Sequence, residues 1–133
     1  MTEVLLSERL LQVQEQIIKN IRRRTHTILT GKSGSGKTTL LGTVSGLTPE
    51  SVFLDLNALD EADLRFLEST ITEAAAKVVL VDELAAVCNF PRLRGLPDFI
   101  LAHSDLTWVA ATPSLTTLTP RLAQFFPSKI ELV

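Results

Sequence analysis

Residues 31–38 of the 133-residue chain read Gly-Lys-Ser-Gly-Ser-Gly-Lys-Thr. The stretch matches the pattern G-x-x-x-x-G-K-[ST], in which glycines let the backbone turn tightly with its N–H groups pointing inward. Such a concave run of N–H groups binds the oxygens of a polyphosphate. We therefore expect phosphate contacts from the whole loop and the start of the following helix: Gly31, Lys32, Ser33, Gly34, Ser35, Gly36, Lys37, Thr38 and Thr39.

Two side chains at the end of this loop carry specific chemistry. Lys37 is expected to place a positive charge near the β- and γ-phosphates of a nucleotide, and the Thr38 hydroxyl is the expected ligand of Mg²⁺. The flanking sequence agrees, because the β-favouring run 27–30 precedes the loop and an apolar stripe beginning at Leu40 follows it. The loop is thus predicted to join a strand to a helix whose open N-terminus attracts anions.

A second element of the predicted site lies at 77–83, which reads Lys-Val-Val-Leu-Val-Asp-Glu. Four consecutive apolar residues followed by two carboxylates are typical of a strand buried on both faces of a parallel sheet, whose carboxyl end opens on a ligand crevice. There, Asp82 is expected to bind Mg²⁺, directly or through water, and Glu83 to orient and deprotonate an attacking water. Taken alone, the same residues also fit a strand that ends in a solvated turn.

The two stretches resemble the Walker A and Walker B motifs of P-loop NTPases, and Glu83 looks like the second acid of their additional-strand catalytic-glutamate division. In that division a further strand lies between the two motif strands and offers a polar residue, called sensor 1, to the γ-phosphate and the attacking water. The stretch 106–111 (Leu-Thr-Trp-Val-Ala-Ala) is the candidate strand, and Thr112 stands at the sensor 1 position. The resemblance implies catalytic roles for Lys37, Glu83 and Thr112; a threonine that only starts the turn before Pro113 is the alternative.

The final stretch, 119–133, resembles the end of an AAA+ ATPase core, where a helix leads through an aromatic residue into the last strand. AAA+ proteins often carry an arginine just before that aromatic residue, which reaches into the site of the neighbouring subunit. Here Gln124 precedes Phe125, and the nearest arginine is Arg121, one helical turn earlier. The position of such an arginine finger therefore departs from the family pattern. The sequence ends after this strand, so the resemblance covers the core and lacks the helical lid that normally follows.

The alternation of strand and helix patterns predicts an α/β protein. Besides the three strands above, 52–56 (Val-Phe-Leu-Asp-Leu) and the end of the chain read as strands, and Asp60 is expected to cap a helix that runs to about Ala76. A helix over 7–23 precedes the first strand. We predict a single domain over 1–133, a three-layer α/β/α sandwich with a mostly parallel five-stranded sheet. The family resemblance implies the strand order 5-1-4-3-2.

The composition narrows the classes of partner. A formal net charge of −2 argues against binding nucleic acid through the overall field. The run 22–24 (Arg-Arg-Arg) leaves a local polyanion contact open, and its alternative is a favourable interaction with the C-terminal dipole of a helix. The single cysteine, Cys88, excludes an internal disulfide. Without a signal pattern or an apolar stretch of bilayer-spanning length, we expect a cytoplasmic protein with no membrane partner.

Three functions fit these residues. The first is an ATPase that binds ATP and Mg²⁺, hydrolyses ATP, and couples turnover to remodelling or loading of a partner, in a homo-oligomer or a larger protein assembly. The second is a small-molecule kinase, in which Asp55 binds the acceptor hydroxyl and Arg92 and Arg94 clamp the phosphates. The third is a nucleotide-gated interaction module that binds ATP and turns over very slowly. The adjacent acids Asp82 and Glu83 fit the ATPase best, because a kinase should exclude an activated water.

Lys32 has a second interpretation. It lies five residues before Lys37, where the partition and cell-division-site ATPases with a deviant Walker A carry a signature lysine inserted across a dimer interface. Ser33 replaces the glycine that follows this lysine in those families, and 82–83 does not match their Asp-x-Pro pattern. A solvated loop lysine is the simpler interpretation. Guanine nucleotides are disfavoured because the chain has no Asn-Lys-x-Asp element.

Overall fold

A computed structural model describes residues 7–32, 34–56, 64–88 and 93–132. Three predicted features, the helix cap at Asp60 and the side chains of Ser33 and Arg92, lie outside these ranges. The strands are β1 Thr27–Thr30, β2 Ser51–Asp55, β3 Val78–Asp82, β4 Thr107–Thr112 and β5 Ser128–Glu131. The α-helices are α1 Glu8–Arg22, α2 Lys37–Leu47, α3 Leu64–Glu73, α4 Leu96–Ala102 and α5 Pro120–Phe125, with short 3₁₀ turns at Leu84–Cys88 and Leu115–Thr117.

The five strands form one sheet in the order β2-β3-β4-β1-β5. Every neighbouring pair is parallel, so the predicted mostly parallel sheet is parallel throughout the described residues. Read from the other edge, this order is the predicted 5-1-4-3-2. The strand that carries Thr112 therefore lies between the two motif strands, as the family resemblance implied.

The apolar run of β3 explains why helices cover both faces of the sheet. Successive strand residues point to opposite faces, so Val79 and Val81 belong to one buried cluster and Val78 and Leu80 to the other. Helices α1 and α2 cover the face of Leu80, whereas α3, α4 and α5 cover the face of Val79. This arrangement confirms the three-layer sandwich. Within the described ranges, no helix is long and apolar enough to cross a membrane.

Strand boundaries differ from the predicted ones by single residues. β1 has the predicted limits, but β4 begins and ends one residue later than the predicted 106–111, and β2 begins and ends one residue earlier than 52–56. The shift in β4 follows from backbone pairing: Leu106 N–H closes a turn onto the carbonyl of His103, and the ladder starts with Thr107. Pairing between strands, which local sequence does not specify, sets these limits.

Helix α1 has well-defined ends. The Ser7 hydroxyl accepts a hydrogen bond from the backbone N–H of Leu10 at 3.2 Å, which satisfies one of the open donors of the first turn. At the other end Arg24 N–H donates to Ile21 O at 3.0 Å and Thr25 N–H donates to Asn20 O at 2.8 Å. This bond pair is the Schellman motif, and Arg24 occupies its left-handed position with a φ of 57°.

A buried amide fastens α1 to the sheet. Asn20 is only 5% exposed, and its Nδ2 donates to Thr27 Oγ1 at 3.1 Å and to Ser128 Oγ at 2.9 Å. The same side chain accepts a hydrogen bond from Gln16 Nε2 at 3.0 Å. A buried amide is costly unless its hydrogen bonds are made. These bonds therefore fix the rotation of α1 against β1 and β5.

His26 lies at the entry to β1 and makes two contacts that suit a neutral ring. Its Nδ1 accepts a hydrogen bond from the backbone N–H of Trp108 at 3.2 Å, and the ring stacks on Phe125 with centroids 4.2 Å apart. Burial lowers the pKa of His26 below its ordinary value of 6.5. A protonated Nδ1 cannot accept from Trp108, so the folded state favours the neutral form.

We predict that the free energy of unfolding falls as the pH is lowered through about 6.5. A histidine with a depressed folded-state pKa stabilises the fold above its unfolded pKa, and this contribution is lost as the unfolded state takes up the proton. Urea denaturation at several values between about pH 8 and 5.5 measures the slope. His26→Asn keeps an acceptor without the titration and should flatten the slope. An equal slope in both proteins would exclude His26 as its source.

Candidate functional site

The glycine loop lies at the carboxyl end of β1 and leads directly into α2. β1 ends at Thr30 and α2 begins at Lys37, so the loop occupies the edge where all five parallel strands end. Gly36 is the N-cap of α2 and has a φ of 100°, a conformation that residues with a Cβ rarely adopt. Because glycine has no capping side chain, the first N–H groups of α2 stay available to an anion.

Neighbouring elements hold the loop closely on two sides. A Cβ added to Gly31 would lie 2.7 Å from the carbonyl oxygen of Leu132, just after β5, and one added to Gly36 would lie 3.0 Å from Leu10 Cδ1 on α1. Leu132 N–H also donates to Thr30 O at 2.7 Å. Close packing against a backbone carbonyl therefore requires a glycine at 31, whereas the φ of 100° requires one at 36. Sequence reasoning did not identify Leu10 or Leu132, because no local motif marks a contact between distant segments.

The Lys37 side chain lies inside the loop. It is 5% exposed, and its Nζ donates to the carbonyl oxygens of Gly31 and Lys32, the latter at 3.0 Å. Two carbonyl acceptors partly replace the water that a buried ammonium group loses. The positive charge is thereby held inside the loop. The Lys32 residue itself is exposed.

The aspartate at the end of β3 meets the first turn of α2. Thr38 Oγ1 donates to Asp82 Oδ2 at 2.6 Å, and the backbone N–H of Glu83 donates to Asp82 Oδ1 at 3.0 Å. Asp82 is 2% exposed, whereas Thr38 lies at the surface. Both carboxylate oxygens are thus fixed, one toward the phosphate loop and one toward the chain that follows β3. The two predicted metal ligands lie side by side.

Glu83 follows in an unusual backbone conformation. Its φ is 59°, in the left-handed region, which costs a residue with a Cβ about 1 kcal/mol or more. The turn directs the chain away from β3 into the 3₁₀ turn Leu84–Cys88. Glu83 lines a cavity of about 210 Å³ together with Gly34, Gly36, Lys37, Thr38 and Thr39. The structure therefore brings Glu83 to the same cavity as the lysine and threonine of the loop.

Thr112 lies at the predicted place in the sheet, but its hydroxyl is directed elsewhere. Its backbone pairs in register with Thr30, and its side chain is fully buried. The Oγ1 atom forms a 2.7 Å hydrogen bond with Thr117 Oγ1 and lies 3.4 Å from the carbonyl oxygen of Ser114. Thr112 is not among the residues lining the 210 Å³ cavity. Its role as sensor 1 remains a prediction.

A second cavity adjoins the loop on the β5 side. It measures about 520 Å³ and is lined by Thr30, Gly31, Lys32, Ser35, Pro113, Ser114, Leu115, Glu131 and Leu132. The Ser35 hydroxyl is buried and has no hydrogen-bond partner among the described residues. Three strand ends build this cavity jointly, so no single stretch of sequence signals it. Two arginines considered from the sequence, Arg94 and Arg121, are exposed and line neither cavity.

The oxygen donors of Thr38 and Asp82 beside the loop suit a Mg²⁺ ion that is also bound by a nucleotide. Within the described ranges, no group of three or more histidine, cysteine, aspartate or glutamate side chains could hold a metal ion. Thr38 and Asp82 together offer a hydroxyl and a carboxylate oxygen 2.6 Å apart. Magnesium is commonly bound by one or two protein oxygens and completes its octahedron with water and substrate phosphates. The residues present therefore suit a magnesium ion that is bound with a nucleotide.

The strand–loop–helix unit, the lysine inside the loop and the aspartate at the end of β3 define a P-loop NTPase core. The sequence profile of the ABC transporter family matches residues 15–122, well over half of the chain. The chain belongs to this family of P-loop ATPases. No curated protein matches the sequence significantly.

Solved structures of AAA+ ATPases share the fold. A katanin structure solved to explain self-assembly is 16% identical, with 97% of this chain and 51% of that chain covered and a TM-score of 0.68. The AAA domain of FIGL-1 bound to ADP is also 16% identical, with coverages of 98% and 54% and a TM-score of 0.65. A Thermotoga maritima RuvB variant is 20% identical, with coverages of 96% and 45% and a TM-score of 0.64. This chain spans about half the length of these proteins, and at such identities the likeness concerns the fold.

We predict that Thr38→Val lowers the free energy of unfolding by about 1–3 kcal/mol, because it leaves a buried oxygen of Asp82 without its donor. Denaturant titration in the absence of nucleotide and magnesium measures the loss. Thr38→Ser keeps the hydroxyl and serves as the matched control, with a loss expected below about 1 kcal/mol. Equal losses in the two variants would mean that the hydrogen bond to Asp82 contributes no measurable stability.

Proposed function

We propose that the chain binds ATP together with Mg²⁺, hydrolyses it, and uses the turnover to remodel or load a partner protein. One observation supports this most directly. Lys37, Thr38 and Glu83 line the same cavity, and the Thr38 hydroxyl donates a hydrogen bond to Asp82. A phosphate-binding cation, a pair of oxygen ligands for magnesium and a carboxylate that can accept a proton are the parts needed for phosphoryl transfer to water.

The phosphates fit the loop and the start of α2. A cavity of about 210 Å³ has room for a phosphate chain, and Lys37 together with the open N–H groups of α2 supplies positive charge to it. The adjoining cavity of about 520 Å³ shares Gly31, Lys32 and Ser35 with the loop and has room for the base and ribose. When bound, magnesium held by Thr38 and Asp82 supplies charge neutralisation at the phosphate oxygens. We infer an adenine nucleotide from the ATPase family of the chain.

In the proposed reaction Glu83 accepts a proton from water while the water oxygen forms a bond to the γ-phosphorus. The bond between this phosphorus and the β–γ bridging oxygen breaks, and ADP and inorganic phosphate leave. Asp82 supports this role by holding the backbone N–H of Glu83 at 3.0 Å. The left-handed turn at Glu83 leads the chain away from β3, and Glu83 lines the cavity. We propose that Thr112 orients the water. For this role its hydroxyl must give up the hydrogen bond to Thr117 when a nucleotide binds.

Coupling to a partner is proposed from the relatives. The katanin structure was solved to explain self-assembly, and the chain shares its fold over about half the length of that protein. We therefore propose that this core works in the cytoplasm within a homo-oligomer or a larger assembly. Arg121 is exposed on α5 and is the candidate for a finger that reaches a neighbouring site. A membrane or nucleic-acid substrate is not part of the proposal.

One observation favours the alternative of a gated module with very slow turnover. The hydroxyl of Thr112 on β4 is hydrogen-bonded to Thr117 and Ser114. With these partners it does not orient an attacking water. Such a protein would bind ATP tightly and respond to it mainly by changing shape. The rate of phosphate release separates this alternative from the ATPase. ADP formation that depends on an added acceptor would instead identify a kinase.

We predict that Lys37→Ala weakens ATP binding by about 10–150-fold, the equivalent of one charge-assisted hydrogen bond of about 1.5–3 kcal/mol. Isothermal titration calorimetry with ATP and magnesium gives the dissociation constant. Lys19→Ala, which removes an exposed lysine on α1, is the control and should bind as the wild type does. Unchanged affinity in a folded Lys37→Ala protein would remove the loop from the nucleotide site.

We predict that Glu83→Gln keeps ATP affinity within about threefold but lowers the rate of phosphate release by about 10²–10⁴-fold, the usual contribution of a general base. Glu68→Gln changes an exposed carboxylate on α3 in the same way and should leave turnover unchanged. A phosphate-release assay on the three proteins makes the comparison. Normal turnover in Glu83→Gln would exclude the water-activating role.

A further inference from the structure

A further cavity lies at the amino-terminal ends of the strands, opposite the edge that carries the phosphate loop. It measures about 690 Å³ and includes the first residues of two strands, Val78 of β3 and Thr107 of β4. The C-terminal ends of α1 and α2 form its walls, through Ile21 and Leu47. We call it the basal groove. It exceeds the 210 Å³ cavity at the loop and shares no residue with it.

The surface of the basal groove is partly apolar. Ile18, Ile21 and Leu106 line it as partly buried side chains, and Leu47 is 58% exposed. This is the highest exposure of any large hydrophobic side chain in the described part of the molecule. Covering such a side chain is favourable because it removes apolar surface from water. The groove therefore offers an anchor point for an apolar side chain of a ligand.

The rim of the groove carries an excess of positive charge. Lys77 pairs with Glu50 at 3.3 Å, which leaves Arg22 and Arg24 facing a single further carboxylate, Asp105. In the described structure, neither arginine forms an ion pair or a side-chain hydrogen bond, and both are exposed. The adjacent Arg23 adds another exposed cation. This cationic patch stands out on a chain with a formal net charge of −2.

The helix dipole explains only part of this basic cluster. Cations stabilise the last turn of a helix, and Arg22 lies in the last turn of α1. Arg24 lies beyond the helix, in the left-handed Schellman position where glycine is usual. An equivalent bond pair ends α3, where Ala75 has a φ of 50°. An arginine at this position is thus unfavourable for the backbone while it places a guanidinium group on the groove rim.

We propose that the basal groove docks an acidic segment of a partner protein that inserts an aliphatic or aromatic side chain over Leu47. Carboxylates of the segment would pair with Arg22 and Arg24. The chemistry fits a peptide better than a nucleic acid, because the apolar wall can take up an inserted apolar side chain, which a phosphate backbone does not offer. It fits a peptide better than a small metabolite, since small ligands of parallel α/β sheets bind at the carboxyl ends of the strands.

The docking site is separate from the proposed ATPase site, and its test does not need turnover. The probe is a fluorescein-labelled synthetic peptide that alternates aspartate or glutamate with leucine or phenylalanine. Methyl NMR of Ile18, Ile21, Leu47 and Leu106 reports where it binds. Comparison probes are the same peptide with serine at the apolar positions, the same peptide with lysine at the acidic positions, and a DNA oligonucleotide in single- and double-stranded form.

We expect the acidic apolar peptide to shift these methyl signals and each of the comparison probes to bind at least about fivefold more weakly. Leu47→Ser and Arg22→Ser should each reduce its affinity about five- to tenfold, as expected for a lost apolar anchor or a lost rim charge. Failure of the peptide to perturb the methyl groups at about millimolar concentration would overturn the proposal. Preferential perturbation by the oligonucleotide would overturn it too, in favour of a nucleic-acid site.

The Arg24→Gly variant gives the most discriminating test, because stability and peptide affinity should change in opposite directions. Glycine relieves the left-handed strain, so the protein should become more resistant to denaturant, while the affinity for the acidic peptide falls about five- to tenfold. Ala75→Gly is the matched control, since it relieves the same conformation without removing a charge. It should gain stability and keep the peptide affinity. If Arg24→Gly also keeps full affinity, Arg24 has no part in docking and the proposed charge recognition is wrong.

Discussion

The hydrogen bond from Thr38 to Asp82 is the contact around which the site is assembled. It joins residues 44 positions apart in sequence at a distance of 2.6 Å. This contact requires the carboxyl ends of β1 and β3 to lie at the same edge of the sheet, so the two strands must be parallel. In the sheet, β4 lies between them. Parallel strands need long crossover connections, and the helices that form those connections cover both faces of the sheet. The parallel arrangement of the strands therefore produces both the three-layer fold and the site.

Much of this arrangement could be predicted from local sequence. The glycine spacing at 31–38 and the apolar run before Asp82 each determine the backbone conformation within a few residues, so β1 was placed correctly and the sheet order followed from the family resemblance. Contacts between distant segments could not be predicted in this way. Leu10 packs on Gly36 and Leu132 lies against Gly31. Each contact joins two segments that are far apart in sequence, so no short pattern encodes it. The orientation of the Thr112 hydroxyl likewise depends on Thr117, in a turn that no pattern identified.

Helix α2 relates the two ends of the molecule. It begins at Lys37 in the phosphate loop and ends at Leu47 in the basal groove, a span of about 16 Å for its 11 residues. Leu40, Leu41 and Val44 are fully buried along its inner side. The phosphate loop and the basal groove are therefore joined by one continuous, tightly packed helix.

The pairing of Asp82 with Thr38 and with the backbone of Glu83 also bears on how an ion enters. Each oxygen of this carboxylate has a proton donor, and a cation without a nucleotide would have to replace one of these donors while losing its own tightly held water. A single buried acid offers too little for that exchange by itself. Under the proposed function, a cation that is already bound to a triphosphate brings further oxygen ligands with it, and the metal and the nucleotide would enter as one complex. Changes in the concentration of free divalent ions would then have little effect on the protein without nucleotide.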